Sequence, residues 1–196
     1  KDLFIEVDQK EEQFLSGTTF SELYYLYEFD NALRFEMLAA TLSAENLLRS
    51  VIAYVLAEEH GHKRDTYQQK HNYNQGKKIT HGRFKGYFER ELLLQFFDEV
   101  YQSSHQPMKY YRENYRDLPP WILVKGLSFG NLQYLFKLML PSSKTKIIAR
   151  ATGLNPELIT EQTKQSFAEI FDILVAYRNW AAHGGRVYNH RVKKKL

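Results

Sequence analysis

Between Thr19 and His60 the chain contains neither glycine nor proline. "TFSE" (19–22) opens this stretch as a capping box, with Thr19 capping and Glu22 reaching back. Beyond it Leu33, Met37, Ala40, Ala44, Leu47, Val51 and Val55 recur at three- and four-residue steps, forming one apolar stripe. The spacing predicts a single helix from about residue 20 to Glu59, ended by Gly61. A helix of this length dictates the frame against which everything else packs.

The rest of the chain is also helical in pattern. Residues 87–104 read as a helix, and Pro107 with Pro119-Pro120 brackets an irregular connection. "WILVKGLSFGNLQYLFKLML" (121–140) reads as a buried helical hairpin, or as one helix interrupted near Gly130, with Pro141 as its stop. "SSKTKIIARATG" gives a short helix. Asn155-Pro156 then looks like a cap followed by proline at the first helical position. The final helix runs to about Ala182, where Gly184-Gly185 end it. No strand alternation and no repeat is visible. The expected fold is all-α: a helical bundle in which the first, long helix runs antiparallel to the last.

With 196 residues, of which 43% are hydrophobic, one domain spanning 1–196 is expected. Residues 60–86 hold seven Lys/Arg and four His against one Asp, and form a polar, basic insertion between the first helix and the rest. It is either a solvated loop or a phosphate-contacting surface. Residues 191–196 form a basic tail. The net charge of +4 suits an acidic partner such as RNA. The absence of cysteine excludes disulfides, thiol nucleophiles and cysteine-ligated zinc. It fits a cytoplasmic protein. No apolar run approaches the roughly 20 residues of a membrane span, and no signal peptide is visible.

One helix end carries chemistry. On a wheel, Phe167, Ile170, Phe171, Leu174 and Val175 form the buried stripe of the final helix. Arg178 lies eleven residues beyond Phe167, seven beyond Phe171 and four beyond Leu174. It therefore falls on the middle of that stripe. A guanidinium keeps its charge, so Arg178 requires either an acid across the core or a cleft opening at this end. The long helix offers an acid: Arg34, Leu38, Thr41, Glu45 and Arg49 share one line. Glu45 and Arg49 make an i,i+4 pair, or Glu45 holds Arg178 or orients His183. His183 follows Arg178 by five residues, about 140° around a helix, so the two converge only through the helix end or through a second subunit.

A histidine moves protons at neutral pH, and an adjacent arginine stabilises the extra charge of a phosphoryl transition state. Together they suit cleavage of RNA through its own 2′-hydroxyl, without metal or other cofactor. Asn179, Arg186, Tyr188 and Asn189 are placed to hold the phosphate or a base. An Arg-x4-His pair alone is weakly specific, and a plain helix C-cap accounts for it equally well.

Four landmarks in order narrow the reading. "RNWAAHGGRVYN" (178–189) resembles the RN-x3-H-x2-R-x2-N signature of the Abi-like (AbiD/AbiF-type) abortive-infection family, within the HEPN superfamily. "TTFSELYYLYEFDNALR" (18–34) resembles its FD-x2-LR region, "ENLLRSVIAY" (45–54) its E-x3-R-S helix, and "PPWILVKGLSFGNLQYLF" (119–136) its Pro-Pro…Trp…SFG segment. The resemblance implies a HEPN helical bundle, metal-independent ribonuclease activity in phage defence, and a homodimer with the active site at the subunit interface. By position it makes Arg178 and His183 the catalytic pair, with Asn179, Arg186 and Asn189 completing the signature and Glu45 as the acid of the first helix. Gly184 stands where the family often has a second histidine, and Tyr188 where it often has tryptophan. The family's further N-terminal segment is expected to be shortened or absent.

Two other readings remain open on sequence: a non-cleaving protein that holds a specific small RNA in the same basic cleft, and a structural dimer in which Arg178 merely caps and pairs. Minor signals are "HGH" (60–62), read as solvated rather than metal-binding, "KKK" (193–195), read as weak phosphate attraction, and "RFKGYFERE" (83–91), either an RNA platform or the start of an amphipathic helix.

Overall fold

The computed structural model describes Phe4 and residues 13–191, so the basic tail beyond Arg191, with its three lysines at 193–195, lies outside the described residues. Among these residues the architecture is an all-α bundle. The first element, α1, is a single helix over Phe20–His60, roughly 60 Å long at 1.5 Å per residue. Its capping box forms as the sequence indicates. Glu22 N–H donates to Thr19 Oγ1 at 3.3 Å, and Thr19 N–H donates to Glu22 Oε2 at 2.8 Å. Gly61, at φ 81°, takes the positive-φ position that ends it.

A four-residue helix α2 (Arg64–Tyr67) and a 3-10 turn (70–72) follow. Then come α3 (Glu89–Gln102), α4 (Met108–Tyr115), α5 (Pro120–Gly126), α6 (Phe129–Leu138), α7 (Pro141–Thr152) and α8 (Glu161–Ala182). Helix α6 is central. Phe129, Leu132, Leu135, Phe136 and Leu138 are all buried, and α3 and α8 pack against it. Ile52, Val55 and Leu56 of α1, Leu93 and Phe97 of α3, Leu123 of α5 and Ile147 of α7 complete the core at full burial.

Several boundaries differ from the sequence reading, each for a local reason. The interruption expected near Gly130 is present and falls at Leu127–Ser128, because Ser128 accepts from Asn131 N–H at 3.1 Å and starts α6 there. Pro141 opens α7 rather than closing its predecessor. It occupies the first turn, where its missing N–H costs nothing. Asn155-Pro156 begins only a 3-10 turn (156–158). Helix α8 is capped by Thr160, which accepts from Thr163 N–H at 3.2 Å.

The basic insertion is not uniformly solvated. Tyr67 and Tyr73 are buried at 0% and 2% exposure, edge-on to Phe97. Tyr67 donates its hydroxyl to the Leu118 carbonyl, and Tyr73 donates to the Tyr67 carbonyl at 2.7 Å. Burial pushes both phenols well above the usual tyrosine range. Lys63, Lys70, Lys77, Lys78, Arg83 and Lys85 remain exposed around these anchors.

The apolar stripes are also less covered than the periodicity indicates. Ala40 and Leu47 of α1 are exposed, as is Ile170 of α8, at 48%. Ala44, Leu47, Phe167, Ile170 and Leu174 instead line a shallow apolar crease between α1, α7 and α8. Helices α5 and α7 pack against α1, and its Val51, Ile52, Val55 and Leu56 are buried.

Candidate functional site

Helices α1 and α8 run antiparallel, as expected. Asp30 meets the residues after α8, Glu45 meets Arg178, and Leu48 lines the same crease as Phe171. The candidate cluster forms where α8 ends against the middle of α1.

Arg178 resolves both alternatives left by its place on the apolar stripe. Its Nε donates to Glu45 Oε2 at 3.1 Å, and its Nη1 donates to Asn179 Oδ1 at 3.2 Å. Its side chain is still 31% exposed, so the pairing does not seal it inside the protein. Glu45 itself is only 6% exposed at its side chain. Its other oxygen, Oε1, accepts from Arg49 Nε at 3.1 Å. Arg49 in turn donates to the carbonyls of Val124 and Leu127, the latter at 2.7 Å. Those carbonyls lie at the C-terminus of α5, where a cation is favoured by the helix dipole. One buried carboxylate thus bridges two arginines and links three helices. The i,i+4 pair and the cross-core pair, considered as alternatives from sequence, coexist.

His183 is the C-cap residue of α8 and is exposed. Its N–H closes the last turn on the Asn179 carbonyl at 3.1 Å. Among the described residues its imidazole makes no hydrogen bond to Arg178. Gly184, at φ 74°, turns the chain, and the site of an added Cβ there lies 3.9 Å from Arg34 Nη1. Arg34 therefore reaches the same end of the bundle.

The segment carrying Arg186, Tyr188 and Asn189 is pinned rather than loose. Asp30, 6% exposed, accepts from the N–H groups of Val187 and Tyr188 at 2.7 and 2.9 Å. Val187 is buried at 5%. Trp180 donates its indole N–H to the Arg186 carbonyl at 2.7 Å and stacks on His190 at 4.1 Å. Trp180 lies so close over Gly185 that a Cβ there would sit 2.4 Å from the ring. The second glycine of the pair is thus a matter of space.

Sequence reasoning assigned no role to Asp30, Trp180 or Arg34. The FD-x2-LR stretch held the signal for two of them: Asp30 and Arg34 lie four apart on α1, and Arg34 shares its line with Glu45. The sequence does not say that an aspartate will receive backbone N–H groups from the far end of the chain.

Among the described residues, no three His, Asp or Glu side chains gather as a metal site. His60 lies partly buried with its Nε2 3.9 Å from Glu59, and His62 is exposed. No helix among the described residues is long and apolar enough to cross a membrane.

The sequence pattern of the Abi-like protein family matches residues 2–189. No curated protein and no solved structure matches the chain. Arg34, Glu45, Arg49, Arg178, Asn179 and His183, which the fold brings to the meeting of α1 and α8, all lie within the matched span, and the chain belongs to the Abi-like protein family.

Proposed function

We propose that this protein is a metal-independent HEPN-type endoribonuclease acting in abortive-infection defence against phage. The observation that carries the reading is the side chain of Arg178, fixed by a buried carboxylate yet not sealed inside the protein, at a helix end that presents an exposed histidine five residues on. A buried acid that held Arg178 wholly inside would serve stability alone. Here the same acid orients the arginine and leaves part of it available to a phosphate.

The RNA 2′-oxygen attacks phosphorus, the P–O5′ bond breaks, and the proton passes from the 2′-hydroxyl to the departing 5′ oxygen. His183 handles that proton, and Arg178 stabilises the added negative charge on the non-bridging oxygens. Asn179 holds Arg178 from the other side. Arg186, Tyr188 and Asn189, on the segment fixed by Asp30, are assigned to holding the phosphate or a base. Glu45 and Arg49 act as positioning residues.

A homodimer belongs to the same reading. Phe20, Tyr25, Tyr27, Phe29 and Phe35 are between 58% and 81% exposed, on several faces of the first part of α1, so this segment leaves aromatic area that its own chain does not cover. Sedimentation should give a mass near twice the chain's 23.2 kDa. A mass of one chain at every concentration contradicts the dimer.

The enzymatic reading is tested with labelled RNA in EDTA. Wild type should cleave, and Arg178→Ala and His183→Ala should each lose at least about a hundredfold in rate with RNA binding retained. Tight binding of one RNA without cleavage by any version supports the RNA-holding protein instead. Loss of thermal stability alone, with cleavage unchanged, makes the arginine structural.

A further inference from the structure

A second concave surface lies on the other side of the Glu45–Arg49 link, between α1 and α5, with a volume of about 840 Å³. Its lining is mostly apolar, with Ala53, Ala57 and Val124 as small floor residues. Two large aromatic side chains line it and remain half in solvent: Tyr54 at 55% exposure and Trp121 at 47%. Small residues with exposed flat rings beside them make a slot for another flat ring.

The electrostatics favour an anion through Lys125, since Arg150 and Lys146 are offset by Glu58 and Glu59, and Arg49 by Glu45. Lys125 is exposed beside the slot, and the guanidinium of Arg150 lies 4.3 Å from the Tyr54 ring. The acid of the groove, Glu58, is already engaged by Arg150 at 2.9 Å and Lys146 at 3.8 Å. Arg49 forms part of the lining and shares Glu45 with Arg178. The slot is therefore joined to the proposed cleavage centre through one carboxylate.

We propose that this groove takes an unpaired nucleobase of a single-stranded RNA, stacked on Trp121 and Tyr54, with its phosphate toward Lys125. The proposal rests on the RNA-cleaving reading and adds to it a substrate class: RNA whose bases are free to leave the stack. A groove built for an apolar partner helix would offer the same floor but has no use for the cations at its rim.

The test uses the full chain and a short 2′-O-methyl oligonucleotide carrying one 2-aminopurine. This ligand has no free 2′-hydroxyl and stays intact whether or not the protein is a nuclease. Binding is read by anisotropy and stacking by quenching of the 2-aminopurine. Trp121→Ala and Tyr54→Ala should each weaken binding roughly tenfold and reduce the quenching. Trp121→Phe, which keeps a flat ring, should restore most of both. A blunt duplex of the same sequence should be indifferent to all three changes. Equal affinity of wild type and variants for the single strand, equal losses on the duplex, or no binding at all overturns the slot. Quenching that persists where the EDTA cleavage assay is negative leaves the slot standing and removes the nuclease; cleavage with binding insensitive to Trp121 does the reverse.

Discussion

Arg178, whose charge is permanent, is accommodated on an otherwise apolar helix line because Glu45 stands opposite at 3.1 Å. Its position on the wheel made a partner or a cleft necessary, and the structure supplies both. His60 offers a second, independent residue-scale test. It sits partly buried at the end of α1, and its Nε2 has no hydrogen-bond partner among the described residues. Burial lowers its pKa, with His71 and Lys146 acting in the same direction and Glu59 opposing. The folded state therefore binds this proton less readily than the unfolded chain, whose histidine titrates near 6.5. The neutral imidazole is compatible with the fold above about pH 6.5, and below it each proton favours unfolding. Thermal melting of wild type should lose stability more steeply than His60→Gln as pH falls below about 6.5. Equal slopes would show that His60 is not the group responsible. Asp30 marks the limit of legibility at this scale. Its place four before Arg34 in "YEFDNALR" marks the aspartate, but the groups it binds are backbone N–H groups 157 and 158 residues away, which leave no side-chain pattern.

At the scale of elements, α1 was readable from end to end, because capping box, uninterrupted helix formers and terminal glycine all agree. The insertion at 60–86 was not. Its charge masks Tyr67 and Tyr73, which fold into the core beside Phe97 and tie the segment down. Helix starts were missed where a hydroxyl cap outcompeted a more conspicuous proline, as at Thr160 over Asn155-Pro156. The Glu45 carboxylate is the joint between α1, α5 and α8. Breaking a fully buried pair costs about 3–5 kcal/mol, and the one-third exposure of Arg178 reduces that here. Glu45→Ala should lower the unfolding free energy by about 2–3 kcal/mol in urea and depress cleavage further than the stability loss explains. An unchanged urea midpoint would mean that the two arginines find other partners.

For the molecule as a whole, the all-α class and the antiparallel pairing of first and last helices followed from periodicity and from the glycine pair closing the chain's final helix. The depth of packing did not. The stripes on α1 and α8 look continuous in sequence, yet between α1, α7 and α8 they border an open crease, because helical spacing records which residues align and not whether a neighbour arrives to cover them. The same geometry leaves the α8 terminus accessible, with Arg178 held from below by a carboxylate and His183 exposed at the turn. In the proposed reaction Arg178 and His183 move the phosphoryl group from the 5′-oxygen of RNA to its own 2′-oxygen, which fixes the chemistry of the fragment ends. Mass spectrometry of the fragments released in EDTA tests it most directly. The expected products are 2′,3′-cyclic phosphate and 5′-hydroxyl ends, with none from DNA; 3′-hydroxyl and 5′-phosphate ends, or cleavage of DNA at a comparable rate, would rule the reaction out.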